Sequence, residues 1–187
     1  MGPLPLTKVP LDVKIHEAAD FGIYFRQLIS YHTDSAERIR AFLFLPKAAT
    51  AQPAVMCLHQ TIAIGKGEPA GLGGSPELHY AKHLAERGFV TLAPDYPSFG
   101  EHSYDFEDKS YISGTMKAVH DNVCAIDLLQ SMPEVDGERI GCIGHSLGGH
   151  NTSVLPLHPK ALPCIDRVRW SYLCSYRDAV QDIHSSI

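Results

Sequence analysis

The sequence lacks several features that mark particular classes of protein. No stretch approaches the ~18 consecutive apolar residues of a membrane span, and residues 1–10 contain no apolar core of a secretory signal. Acidic residues outnumber basic ones, 21 to 16, and basic residues form no long run. Such a chain carries no electrostatic signal for nucleic acid or for an anionic membrane. We therefore expect a cytoplasmic protein with no nucleic-acid partner and no membrane partner.

Cysteine and histidine give no sign of a disulfide framework or a metal centre. The five cysteines are odd in number and include no C-x-x-C pair, which favours a reduced, intracellular protein. The only helical i,i+4 histidine pair, His79 and His83, lacks the glutamate of a zinc-binding H-E-x-x-H helix. Solvated histidines on a helix face explain this pair. We expect no metal and no cofactor.

The rest of the sequence alternates apolar runs of strand length with amphipathic segments. Residues 21–31 and 37–45 predict an antiparallel hairpin with one packed face. The runs 54–58, 89–93 and 139–143 are almost continuously apolar, which predicts strands that are covered on both faces.

Helical patterns separate and follow these strands, over 75–88, 111–132 and 147–155, and a further half-exposed strand is predicted over 167–175. The repeated order of strand, loop and helix predicts an α/β fold with a mainly parallel, doubly wound sheet and an N-terminal antiparallel hairpin. We expect a single domain over residues 1–187. Ligands are expected at the carboxyl ends of the strands.

One motif indicates a chemistry. Ser146 lies between Gly144 and Gly148, directly after the apolar strand 139–143 and before a helix. This G-x-S-x-G arrangement is the nucleophile elbow of serine hydrolases, in which the serine occupies a strained turn with its hydroxyl exposed. The flanking glycines are a steric requirement, because larger side chains collide with neighbouring backbone. Ser146 is therefore the predicted catalytic nucleophile.

A serine nucleophile needs donors for the negative oxygen that develops when it attacks a carbonyl. In an elbow, one donor is the backbone N–H of the residue after the serine, which is Leu147 here. A second N–H comes from the loop after an earlier strand, where Gln60 follows His59. Leu147 and Gln60 are therefore the predicted oxyanion hole.

Four segments together resemble one branch of a known superfamily: LHQT at 58–61, GKGEPAGLGG at 65–74, APDYPSFGE at 93–101 and GHSLGG at 144–149. In this order they are similar to the dienelactone-hydrolase-like and acetyl-xylan-esterase-like branch of the α/β-hydrolase superfamily, over roughly residues 20–155. The resemblance implies that fold and the hydrolysis of a small-molecule ester through an acyl-serine. Dienelactone hydrolases proper carry cysteine as the nucleophile, so a serine favours the esterase side.

The chain departs from the superfamily after the elbow. The acid and the histidine of the triad normally follow the serine at ~60 to 120 residues, yet the sequence ends at Ile187. His184, with Asp178 or Asp182 before it, has the right order but little room for the strands that should present it. We therefore expect a C-terminally truncated sheet that lacks its last strands.

Other candidates for the triad are interpreted as structural. Asp95 is expected to close its own loop, His59 to shape the oxyanion loop and His145 to pack beside the serine. His150 lies one helical turn after the serine and is expected to point away from the hydroxyl.

Two hypotheses from different classes follow. The first is a serine esterase whose base and acid come from the C-terminal residues or from a second chain. The second is a catalytically incompetent homologue that acts as a binding or interaction module. A peptidase is a more distant third hypothesis: the branch includes peptidases, but they carry an additional propeller domain for which there is no sequence here. For the esterase and for the inactive homologue alike, a truncated sheet exposes the strand around 167–175. This exposed edge predicts a homo-oligomer formed through it.

Overall fold

The computed structural model describes residues 9–35, 37–107, 111–154 and 170–172. These residues form one mixed sheet with the strand order β1-β2-β3-β5-β4-β6-β7. The strands are β1 (Lys14–Asp20), β2 (Tyr24–His32), β3 (Arg38–Pro46), β4 (Gln52–Leu58), β5 (Val90–Pro94), β6 (Val135–Gly144) and β7 (Trp170–Tyr172). Strands β1, β2, β3 and β5 pair antiparallel in turn, whereas β5, β4, β6 and β7 pair parallel.

Within the described residues, three α-helices cover the two faces of the sheet: α1 (Tyr80–Ala85), α2 (Gly114–Ser131) and α3 (Leu147–Val154). Successive side chains of a strand point to opposite faces, so the buried strand β4 contributes to two cores. Its Met56 and Leu58 lie in the core with α2, and its Val55 and Cys57 lie in the core with α1. A strand covered on both faces explains the continuous apolar run of β4.

The structure confirms the predicted α/β fold, with an antiparallel N-terminal region and parallel strands at the predicted apolar runs. It adds β1, which the sequence did not predict. It also divides the first predicted helix into a short 3₁₀ turn (Pro76–Leu78) and α1. Helix α2 begins three residues later than predicted, because Ser113 caps it by accepting a hydrogen bond from the Met116 amide at 3.2 Å.

The predicted strand over 167–175 contains β7, which pairs parallel with β6. The rest of that segment and the candidate triad residues Asp178, Asp182 and His184 lie outside the described residues. Self-association through this edge stays a prediction. Within the described ranges, none of the helices is long and apolar enough to cross a bilayer.

Candidate active site

The register of the parallel strands brings three loops to one edge of the sheet. Leu58 at the end of β4 pairs with Gly144 at the end of β6, and Met56 pairs with Leu92 of β5. The loops that follow these strands therefore leave the sheet side by side at its carboxyl edge. This edge is where ligands bind in open α/β sheets.

Ser146 occupies the turn between β6 and α3. Its φ of 51° is in the left-handed region, which L side chains rarely adopt, and the residue is exposed. A Cβ at Gly144 would lie 2.4 Å from the carbonyl carbon of Gly148, so residue 144 has no room for a side chain. The turn thus has the strain and the steric requirement that were predicted for a nucleophile elbow.

Gly148 places this elbow against the loop that follows β4. A Cβ at position 148 would lie 2.0 Å from the Leu58 carbonyl oxygen and 2.9 Å from that of His59. The first turn of α3 therefore contacts the backbone immediately before Gln60. The structure brings the segments of Ser146, Leu147 and Gln60 together.

His59 joins the loops after β4 and β5. Its Nε2 accepts a hydrogen bond from the Tyr96 amide at 3.2 Å, and its Nδ1 donates to the Gln60 carbonyl at 2.6 Å. The ring is fully buried and contacts the rings of Tyr96 and Phe99. Burial lowers the pKa of His59 below its ordinary value, although the bond to Gln60 acts in the opposite direction. His59 is therefore a neutral residue that shapes the loop, with both ring nitrogens engaged.

A buried carboxylate holds the side chain of Gln60. The Gln60 Nε2 donates to both oxygens of Glu68, at 3.1 and 2.9 Å, and the Ser75 amide donates to the same carboxylate at 3.1 Å. Glu68 is only 1% exposed and lies against Gly74, where a Cβ would come within 2.3 Å of it. The sequence did not predict this contact. The available signal was a charged residue inside a glycine-rich loop, a place where close backbone approach is common.

A buried ion pair fixes the same loop to the loop after β5. Lys66 Nζ lies 2.6 Å from Asp95 and 2.6 Å from Glu101, and it is almost fully buried. Asp95 also accepts hydrogen bonds from the Lys66 and Glu101 amides, at 2.8 and 2.9 Å. All of these partners hold the loop, which confirms the structural interpretation of Asp95. The role of Lys66 was not predicted.

A second buried cluster anchors the far end of the loop after β5. His102 Nε2 lies 2.6 Å from the Glu37 carboxylate, which also pairs with Lys117 of α2. Lys117 pairs in turn with Asp121 at 2.5 Å. Burial raises the pKa of Asp121 to about 6, against the opposing effect of Lys117. Buried pairs of charged or polar side chains therefore hold the loop between Asp95 and His102 at both ends.

The described residues do not include a general base at Ser146. In that part of the chain, no histidine ring forms a hydrogen bond with the Ser146 hydroxyl. His145 is half-buried beside the serine, and His150 is exposed on α3. Among the same residues, no group of three or more His, Cys, Asp or Glu side chains is placed to hold a metal ion.

A family profile and several curated proteins match parts of this chain. The profile of the prolyl oligopeptidase family matches residues 77–164. The mitochondrial acyl-coenzyme A thioesterase 2 of Mus musculus is 33% identical over 112 residues, which are 60% of this chain and 20% of the thioesterase. The chain spans 11–22% of the length of the curated relatives that it matches.

Solved structures show the same fold. Acetyl xylan esterase 1 from Thermoanaerobacterium sp. JW/SL YS485 superposes with a TM-score of 0.67 at 19% identity, covering 94% of this chain and 57% of the esterase. A dienelactone hydrolase-like promiscuous phosphotriesterase from metagenomic libraries gives a TM-score of 0.54 at 25% identity, covering 72% and 54%. The chain therefore has the α/β-hydrolase fold and resembles the esterase-like branch.

Proposed function

We propose that this α/β-hydrolase chain carries the nucleophile and the oxyanion hole of a serine esterase. The observation that carries the proposal is the contact between the strained elbow of Ser146 and the backbone of Leu58, which sets the serine beside the loop of Gln60. Hydrolase relatives and esterase neighbours support the same class of reaction.

The reaction follows from these groups. The Ser146 hydroxyl attacks the ester carbonyl carbon while a base takes its proton, and the carbonyl oxygen becomes negative. The amides of Leu147 and Gln60 donate to this oxygen; losing one such donor costs about 3–4 kcal/mol of barrier. The intermediate then expels the alcohol, which receives the proton, and water hydrolyses the acyl-serine. His59 does not act as the base, because both of its ring nitrogens are engaged within the fold.

A labelling experiment tests the proposal. A fluorophosphonate probe reacts with an activated serine, which displaces fluoride and leaves a phosphonyl group on its oxygen. We expect the full chain to be labelled at Ser146, as located by peptide mass spectrometry, and the Ser146→Ala variant to remain unlabelled. Folded protein without labelling contradicts the esterase.

The second candidate function is that of an inactive homologue that binds a ligand or a partner. An elbow without a base retains catalysis of only ~10³–10⁴ over water. Steady-state hydrolysis of p-nitrophenyl acetate separates the two, since this candidate requires equal rates for the wild type and for Ser146→Ala.

A further inference from the structure

An apolar pocket lies next to the elbow, on the side of α2. It has a volume of about 130 Å³, is partly open to solvent, and is lined by the first turns of α2 and α3 and by the loop after β5. Its walls are largely aromatic or aliphatic, and include Phe99, Phe106, Ala118 and Leu147. A mostly apolar cavity with few polar groups is the usual form of a small-molecule site.

The pocket begins one residue from the nucleophile. Leu147 lines it and directly follows Ser146, and the Asn151 side-chain amide fixes Leu147 by donating to its carbonyl at 3.0 Å. If the carbonyl oxygen of an ester accepts from the Leu147 amide, the substituents of that carbonyl lie next to Leu147, which lines this pocket. The substituent that stays on the serine after the alcohol leaves is the acyl chain.

The dimensions of the pocket limit the length of that chain. An apolar cavity of about 150 Å³ holds one benzene molecule, so about 130 Å³ has room for roughly five carbon atoms. Ala118 closes the pocket from α2 and is only 4% exposed, whereas Phe106 is 57% exposed at the outer wall. The Phe106 ring lies over Gly114, where a Cβ would come within 2.7 Å of it. A small residue at 114 thus lets the aromatic ring form this wall.

We propose that this pocket binds the acyl chain of the substrate, and that Ala118 and Phe106 restrict it to short apolar chains of up to about five carbons. This inference rests on the proposed function of Ser146. The substrate class is therefore an ester of a short aliphatic acid. The two loop anchors, Lys66 with Asp95 and His102 with Glu37, keep the pocket wall in place.

Hydrolysis of p-nitrophenyl acetate, butyrate and octanoate tests the restriction. For the wild type we expect kcat/KM to be about tenfold or more higher for butyrate than for acetate, and about tenfold or more lower for octanoate than for butyrate, the order of discrimination that a hydrophobic pocket provides. Thr115→Leu fills the pocket from the partly exposed start of α2, and we expect it to lower the butyrate-to-acetate ratio by about tenfold. Ala118→Leu should do the same if it folds.

Phe106→Ala removes the outer wall, and we expect it to raise the octanoate-to-butyrate ratio. The matched control is Ile112→Ala, which truncates another exposed apolar side chain of the same segment, 77% exposed and outside the pocket. This control should leave all ratios unchanged. The proposal is wrong if the ratios are the same in Thr115→Leu, Phe106→Ala and the wild type. A general loss of folding cannot imitate the expected changes, because it lowers kcat/KM for all three esters together.

A binding measurement separates this inference from the proposed function. Ethyl butyrate added to isotope-labelled Ser146→Ala should shift the amide signals of Thr115 and Ala118, and Thr115→Leu in that background should abolish the shifts. If the amide signals shift but the wild type hydrolyses no ester, the proposed esterase function is wrong and the pocket remains a binding site. Turnover that is insensitive to chain length, with no shifts, overturns the pocket and retains the esterase.

Discussion

The side-chain amide of Gln60 donates to both carboxylate oxygens of Glu68, at 3.1 and 2.9 Å, in the loop that follows β4. Replacing Glu68 with alanine leaves this amide and the Ser75 N–H without their acceptor. Leaving a buried donor unsatisfied costs about 1–3 kcal/mol, so we expect a loss of that size in the free energy of unfolding measured with urea. We also expect slower fluorophosphonate labelling of Ser146, because the Gln60 backbone is then held less firmly.

Glu77→Ala is the control for this variant, since Glu77 is an exposed carboxylate in the same region of the chain. Glu77→Ala should change neither the free energy of unfolding nor the rate of labelling at Ser146. A Glu68→Ala variant with the stability and labelling rate of the wild type shows that the contact does not hold the oxyanion loop.

The glycine at position 148 is expected to tolerate no side chain. Gly148→Ala puts a methyl group 2.0 Å from the Leu58 carbonyl oxygen, which is backbone and moves only with β4. Overpacking typically costs about 1–3 kcal/mol, and we expect at least that loss of stability together with loss of labelling at Ser146. Gly137→Ala is the control, because a Cβ there has no neighbour within 4 Å. Equal effects of the two substitutions contradict the steric argument.

The elbow was predictable because Gly144, Ser146 and Gly148 lie within five residues of the sequence. The turn itself requires Gly144, since a Cβ there meets the Gly148 backbone, whereas the Leu58 carbonyl at the end of β4 requires Gly148. The buried strands were predictable for a similar reason, since a strand that packs on both faces needs an unbroken apolar run. Strand β1 was missed because nearly all of its residues are exposed and its sequence carries no apolar alternation.

The ion pairs and hydrogen bonds that hold the site loops depend instead on the path of those loops. Lys66 and Asp95 are 29 positions apart in the sequence, and no sequence periodicity predicts their contact. The same limit explains the error at the first helix. Ser75 resembles an N-cap, but its side chain makes no cap hydrogen bond and its N–H donates to Glu68. A tertiary contact has overridden the local signal.

Breaking the buried ion pair is expected to be costly. Lys66→Met leaves the Asp95 carboxylate buried without its cation, and removing one partner of such a pair costs about 3–5 kcal/mol. We expect a reduction of this order in the free energy of unfolding. Lys82→Met is the control, because Lys82 and Glu86 form an exposed pair at 3.7 Å that contributes at most about 1 kcal/mol. If the two variants lose the same stability, Lys66 does not fasten the two loops.

His59 is expected to make the fold sensitive to acid. Its pKa in the folded protein is lowered, chiefly by burial, from the ordinary value of 6.5. The unfolded chain therefore binds a proton at a higher pH than the folded chain does, so this residue's contribution is complete well above pH 6.5 and decreases as the pH falls below it. Protonation of Nε2 also removes the acceptor for the Tyr96 amide.

Urea unfolding between about pH 5 and 7.5 measures this contribution as the difference in stability between the wild type and His59→Gln. Glutamine does not titrate, so the advantage of the wild type should shrink on acidification, by at most about 1.4 kcal/mol per pH unit for a single group. A difference for His59→Gln that stays constant with pH would mean that burial does not hold this ring neutral. In that case the loop is fixed by other groups such as Lys66 and Asp95.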